Sequence, residues 1–175
     1  MHALLMRSSL VFVIGLIAVG CGRVSNSPTE GSRGGAAPVA NTSYRLTSEP
    51  AGAQDVKLAR SSAKDDEEVV VVGRIGGDAN PWIDGMAAFT IVDLALKPCD
   101  DDGCKVPWDY CCDLDDLPKS KAMVKVVDTE GSVVPTESRQ LLGVKELQTV
   151  VVRGKAKRDE AGNLTILAGG VFVRP

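Results

Sequence analysis

Thr149-Val-Val-Val-Arg-Gly-Lys-Ala-Lys157, Asp159-Glu-Ala-Gly-Asn163 and Leu164-Thr-Ile-Leu-Ala168 read as two strands joined by a tight turn. The β-branched run favours extended backbone. Period-two alternation puts Arg153, Lys155 and Lys157 on one sheet face, opposite Val152, Gly154 and Ala156. Asp159 to Asn163 has the composition of a hairpin turn. Val171-Phe-Val173 completes the second strand after a kink expected at Gly169-Gly170. Toward the N-terminus, Ala122 to Asp128 is a further strand, followed by a Thr129-Glu-Gly131 turn. Thr136-Glu-Ser-Arg-Gln-Leu-Leu142 suggests a short helix capped by Thr136. Ala87 to Asp93 is another strand, and Glu68-Val-Val-Val-Val72 is the first, running into the glycine bend Gly73-Arg-Ile-Gly-Gly77.

Five short strands with one helix between the third and the fourth resemble, in element order, the oligonucleotide/oligosaccharide-binding (OB) fold. The expected fold is therefore mainly β: a small five-stranded OB-like Greek-key barrel over residues 65–175. Another small Greek-key barrel or a sandwich is the alternative. A preceding helix is expected over residues 49–64. Ser48-Glu49-Pro50 opens it, and Val56, Ala59 and Ala63 share one helical face.

Residues 1–20 read as an export signal. Arg7 precedes the apolar run Leu10 to Val19, which is about half of the ~20 residues that span a bilayer. Ala18-Val19-Gly20-Cys21 resembles a bacterial lipobox. That resemblance implies cleavage before Cys21 and acylation of its sulfur and amino groups, a durable membrane anchor. Residues 21–48, rich in Gly, Ser, Pro, Ala, Thr and Asn, then read as a flexible tether. The expected location is a cell or outer membrane, with the domain outside the cytoplasm.

Composition removes several chemistries. The 175 residues are 44% hydrophobic and 25% charged, a globular balance, with only 4% aromatic. His2 is the sole histidine, and signal cleavage removes it. Ser-His-Asp and Cys-His nucleophile systems, H-E-x-x-H zinc sites and imidazole pH switches are thereby excluded. Gly73-Arg-Ile-Gly-Gly77 precedes no helix pattern, so it is no dinucleotide fingerprint. Nothing implies a cofactor. Residues 65–175 hold 20 Asp and Glu against 13 Lys and Arg, which disfavours nucleic acid as a partner. Residues 21–64 hold 3 against 6, a balance suited to anionic headgroups.

The most distinctive stretch is Pro98-Cys-Asp-Asp-Asp-Gly-Cys-Lys-Val-Pro-Trp-Asp-Tyr-Cys-Cys-Asp113, within the long loop 94–121. With Cys21 lipidated, Cys99, Cys104, Cys111 and Cys112 are an even set in an exported chain, which reads as two disulfides. Cys99–Cys112 with Cys104–Cys111, or the crossed alternative, avoids a strained vicinal bridge. The rival reading is a metal-binding or thiol-redox loop. Its spacing, C-x₄-C-x₆-C-C, lacks the paired C-x-x-C of zinc knuckles. Neighbouring aspartates should also raise the thiol pKa values. Asp100-Asp101-Asp102-Gly103 fails as a calcium loop because the first ligand position falls on Pro98; a looser site would use Asp100, Asp102 and Asp109.

Candidate ligand-binding residues are Trp82, Arg153, Lys155 and Lys157. Trp82 and Trp108, each after a proline and closely followed by aspartate, would stack on sugars or bases if exposed, or cover a core edge if buried. The cations, with Lys121 and Lys125 alternating on strand three, would grip an anionic group or simply solvate a strand face. The expected function is a non-catalytic envelope lipoprotein displaying a binding module for a protein, glycan or other envelope ligand. Besides that ligand, the partner expected is the membrane, through the lipid anchor.

Overall fold

The computed structural model describes residues 43–100 and 103–175. The expected export signal, Cys21 and most of the expected tether lie outside the described residues, as do Asp101 and Asp102. Five strands carry the fold: β2 (Glu68–Ile75), β3 (Ala88–Val92), β4 (Lys121–Val126), β5 (Thr149–Arg158) and β6 (Leu164–Val173). A two-residue strand, β1 (Gln54–Asp55), adds to β2 in parallel at Val71 and Val72.

Each strand has the pattern its sequence dictates. On β4, Ala122, Val124 and Val126 are buried while Lys121, Met123 and Lys125 between them are partly exposed. β6 alternates in the same way, burying Leu164, Ile166 and Ala168. With Phe89 and Ile91 of β3, Val69, Val71 and Ile75 of β2, and Val150, Val152 and Ala156 of β5, these side chains form one apolar core. Burying a Val, Leu, Ile or Phe side chain contributes about 1.5–3 kcal/mol, so the inward faces dominate stability.

The strand order is β2-β3-β4-β6-β5, and β5 pairs back onto β2, closing a five-stranded barrel. All neighbours are antiparallel except β4 and β6. Parallel partners cannot be joined by a tight turn, and here the chain between them makes α3 (Ser138–Leu142) and β5. The seams differ in length. β2 and β5 pair from Glu68–Lys155 to Arg74–Thr149, whereas β2 and β3 pair only at Arg74–Val92 and Ile75–Ile91. A bulge opposite Arg153 and Gly154 leaves Gly169 as the extra residue on β6 and bends that strand.

Two expected boundaries are corrected. The helix expected over residues 49–64 is shorter: α1 spans Val56–Ser62. Gly52 takes a left-handed φ of +79°, and Gln54 and Asp55 pair with β2, so sheet pairing overrides the proline start. Val56, Ala59 and Ala63 do face the core, as their spacing predicts. Arg158 holds the end of α1, its Nε donating to Ala63 O at 2.8 Å and its Nη2 donating to Arg60 O. The tether does not reach Ser48, because Tyr44 to Leu46 run along β6: Leu46 N donates to Val171 O and Val171 N to Tyr44 O. The kink expected at Gly169-Gly170 is present as a bulge within a continuous β6: Gly169 is passed over between the Arg153–Gly170 and Gly154–Ala168 pairs. A Cβ on Gly170 would lie 2.8 Å from the Leu46 side chain, which would have to shift. No helix among the described residues is long and apolar enough to cross a membrane.

Candidate functional site

The cysteine loop leaves β3 and returns to β4 without a covalent staple. Asp93, buried at its start, accepts from Ala95 N at 2.9 Å and from Lys57 N at 2.7 Å, tying the loop to α1. Val92, Leu96, Tyr110 and Leu117 form a second small core beneath it. Tyr110 sits there with a left-handed φ of 57°, just before the single 3₁₀ turn Cys111–Asp113. Arg74 reaches in from β2 and donates to Leu96 O at 3.2 Å. Burial pushes the Tyr110 phenol up, against the opposing pull of Arg74. The glycine bend receives the loop: Gly77 N donates to Trp108 O at 2.7 Å, and Trp108 Nε1 donates to Ala79 O at 3.2 Å. Gly76 has a φ of +155°, and a Cβ on it would lie 2.6 Å from Trp108 O. The bend was legible in the sequence; its use as the loop's seat was not. α2 (Leu117–Ser120) then leads into β4.

Cys99, Cys104, Cys111 and Cys112 are all free thiols, which corrects the expected pair of disulfides. The Cys99 Sγ stands 3.2 Å from that of Cys112 and 3.6 Å from that of Cys111. A disulfide requires about 2.05 Å. Cys99, buried at 8% exposure, is the hub. Hydrogen bonds from the Cys112 thiol and backbone hold its pKa below the usual thiol range, with Cys111 and Cys104 assisting against burial. Cys111 and Cys112 are pushed up because each shares its proton with Cys99; the Asp109 carboxylate adds to the effect on Cys111. A neighbouring aspartate thus helps to raise the Cys111 pKa, as expected, whereas Cys99 is lowered instead. Cys99, Cys104, Asp109 and Cys111 place ligand atoms within 4.8 Å of one another. Asp100 is not in that set, and Asp102 lies outside the described residues.

Trp82 does not offer a free ring. It is 3% exposed, packs on Phe89 at 5.9 Å between centroids, and donates from Nε1 to Glu146 Oε1 at 2.7 Å. The Arg139 guanidinium lies over the ring, 5.1 Å from its centroid. The stacking role expected of Trp82 is thus corrected to that of a core residue. Arg153, Lys155 and Lys157 do share the outer face of β5. Lys157 is taken up by Asp65 at 3.2 Å and Asp66 at 2.8 Å. Those carboxylates hold its pKa above the usual lysine value. Arg153 and Lys155 line a groove of about 410 Å³ with Glu68, Asp128 and Glu130, acids that offset their charge.

A second groove, of about 400 Å³, crosses β3, β4 and β6. Thr90, Met123 and Thr165 lie in register across these three strands and form its floor. Arg60, Lys121 and Lys125 bring positive charge to it, and Asp78, Asp159 and Asn163 enter from the flanking turns. Lys121 is bonded to Asp78 at 2.9 Å. The Thr90 hydroxyl is buried here without a hydrogen-bond partner. The alternation of Lys121 and Lys125 in the sequence pointed to this face; Thr90 and the turn residues carried no such signal. No family model matches the chain, and no curated protein is similar to it.

Proposed function

We propose that this chain is a non-catalytic lipoprotein of the cell envelope, anchored through Cys21, that displays an OB-like Greek-key barrel as a binding module for an envelope glycan or protein. The signal and lipobox pattern of residues 1–21 supports the anchor. The OB reading is supported by the closed order β2-β3-β4-β6-β5 and by α3 falling between β4 and β5. In that fold the second and third strands and the adjoining loops form the ligand surface, and these correspond here to β3 and β4.

The observation that carries the binding reading is the groove over β3, β4 and β6 with the unpartnered Thr90 hydroxyl in its floor. Leaving a buried hydroxyl unsatisfied costs about 1–3 kcal/mol, so a small shift of the side chains that cover Thr90 to admit a ligand hydroxyl or amide would be favourable. The lining mixes cations, carboxylates, an amide, hydroxyls and the apolar Met123. Such a mixture suits sugar hydroxyls or a peptide backbone better than a polyphosphate, which calls for uniform positive charge.

Calorimetric titration with soluble peptidoglycan fragments tests this. Saturable binding is expected. Lys125→Glu in the groove should weaken it about tenfold, as loss of a contact worth more than 1 kcal/mol does. Lys145→Glu, outside the groove, should leave it unchanged. Equal affinities for the two variants would remove the groove from the account.

A further inference from the structure

We propose that Cys99, Cys104 and Cys111, together with the Asp109 carboxylate, form a binding site for a thiophilic divalent cation of the Zn(II) type. The four ligand atoms lie within 4.8 Å of one another. A tetrahedral zinc holds sulfur at about 2.3 Å and carboxylate oxygen at about 2.0–2.2 Å, which sets neighbouring ligand atoms about 3.5–3.8 Å apart. The Cys99–Cys111 separation of 3.6 Å is such an edge. It is far longer than the roughly 2.05 Å of a sulfur–sulfur bond. Thiolate donors select soft or borderline ions over calcium and magnesium, which take oxygen.

The site is held by bonds that do not involve the ion. Cys99 N donates to Pro107 O at 3.1 Å, closing the base of the loop. Cys111 N donates to Asp109 Oδ1 at 2.9 Å, fixing these two ligands relative to each other. The intervening Tyr110 is buried in the small core under the loop. Supports of this kind orient ligands and raise metal affinity. Only one of the two adjacent cysteines is used, so the site does not need neighbouring residues at two corners of one tetrahedron. Cys112, 3.2 Å from Cys99, stands outside the mutually close set. On binding, three metal–sulfur bonds form and the three thiol protons pass to solvent, so binding is weaker at low pH.

The test uses the full exported chain, purified with and without reductant and titrated with Co(II) under anaerobic conditions. The expected result is a single cobalt per chain with intense thiolate-to-metal charge-transfer absorption, displaced by Zn(II). Cys104→Ser should lower cobalt affinity by more than the roughly 10–100-fold that loss of a supporting group costs. Cys112→Ser should retain it, and Asp109→Asn should weaken it while keeping the charge-transfer band. Near-ultraviolet circular dichroism establishes that each variant is folded. A reduced, folded chain that binds no cobalt overturns the proposal. So does a Cys112→Ser variant as impaired as Cys104→Ser, or a chain exported with all four thiols paired, seen as resistance to alkylation until reduction.

Discussion

Trp82 shows how a residue's surroundings reassign it. In the sequence it is a large aromatic in a proline-flanked loop, equally suited to a ligand platform or a core edge. In the fold it forms an isolated bridge with Phe89, and its indole N–H is committed to Glu146. Burial pushes the Glu146 carboxyl up, but the Trp82 bond, a backbone N–H and Arg139 outweigh it, leaving the group below its usual 4.5. A depressed carboxyl pKa contributes stability above the unfolded value, and that stability is lost as pH falls through the folded value. Trp82→Phe removes the largest of the lowering bonds. It should cost about 1.5–3 kcal/mol near neutral pH, the range for a hydrogen bond to a charged group, with some added loss of packing. The deficit should shrink as pH falls below the usual 4.5 and through the lowered folded-state value, where Glu146 protonates in both proteins. Urea midpoints across that range check this; a deficit independent of pH would detach the effect from Glu146.

At the scale of elements, the barrel strands were legible and their neighbours less so. Alternation marked β4 and the first half of β6, which bury one face, while β-branched or apolar runs marked β2, β3 and β5, where consecutive residues are buried. β1 and the Tyr44–Leu46 segment left no such mark: two or three residues pairing at an edge carry too little pattern. α1 was placed but overextended, because Gly52 and the pairing of β1 decide its start rather than capping preference. The long cysteine loop is held by apolar packing rather than by a covalent staple. Tyr110, Leu96 and Leu117 pack on Val92, and the Gly76-Gly77 bend receives Trp108. Gly76→Ala would place a Cβ 2.6 Å from Trp108 O and 3.0 Å from the Tyr110 ring. Overpacking of this kind costs about 1–3 kcal/mol, enough to release the loop while the strands remain paired. Alkylation of the buried Cys99 under reducing conditions should then be about tenfold faster. An unchanged rate would mean that the bend does not seat the loop.

For the whole molecule, closure of the barrel joins sequence-distant groups into surfaces that no local pattern discloses. Lys121 and Lys125 announced an outward face on β4 by alternation alone. That Thr90 of β3 and Thr165 of β6 lie beside Met123 depends on the antiparallel β3–β4 and parallel β4–β6 registers. Arg60 from α1 and Asp159 from the β5–β6 turn join them only because the barrel closes and α1 packs against it. The Arg153, Lys155 and Lys157 stripe was legible as a stripe, but Asp65 and Asp66 neutralise its end and Glu68, Asp128 and Glu130 offset the rest. Similarly, the cysteines were legible as a set, while their arrangement around Cys99 depends on how the loop docks. The central claim is that the β3–β4–β6 groove is the binding surface of an envelope-displayed module. Amide chemical-shift mapping during titration with soluble peptidoglycan fragments tests it most directly. The account predicts shifts that saturate and concentrate at Thr90, Met123, Lys125, Asn163 and Thr165. Shifts confined to the Arg153–Lys155 groove or the cysteine loop, or none at all, would contradict it.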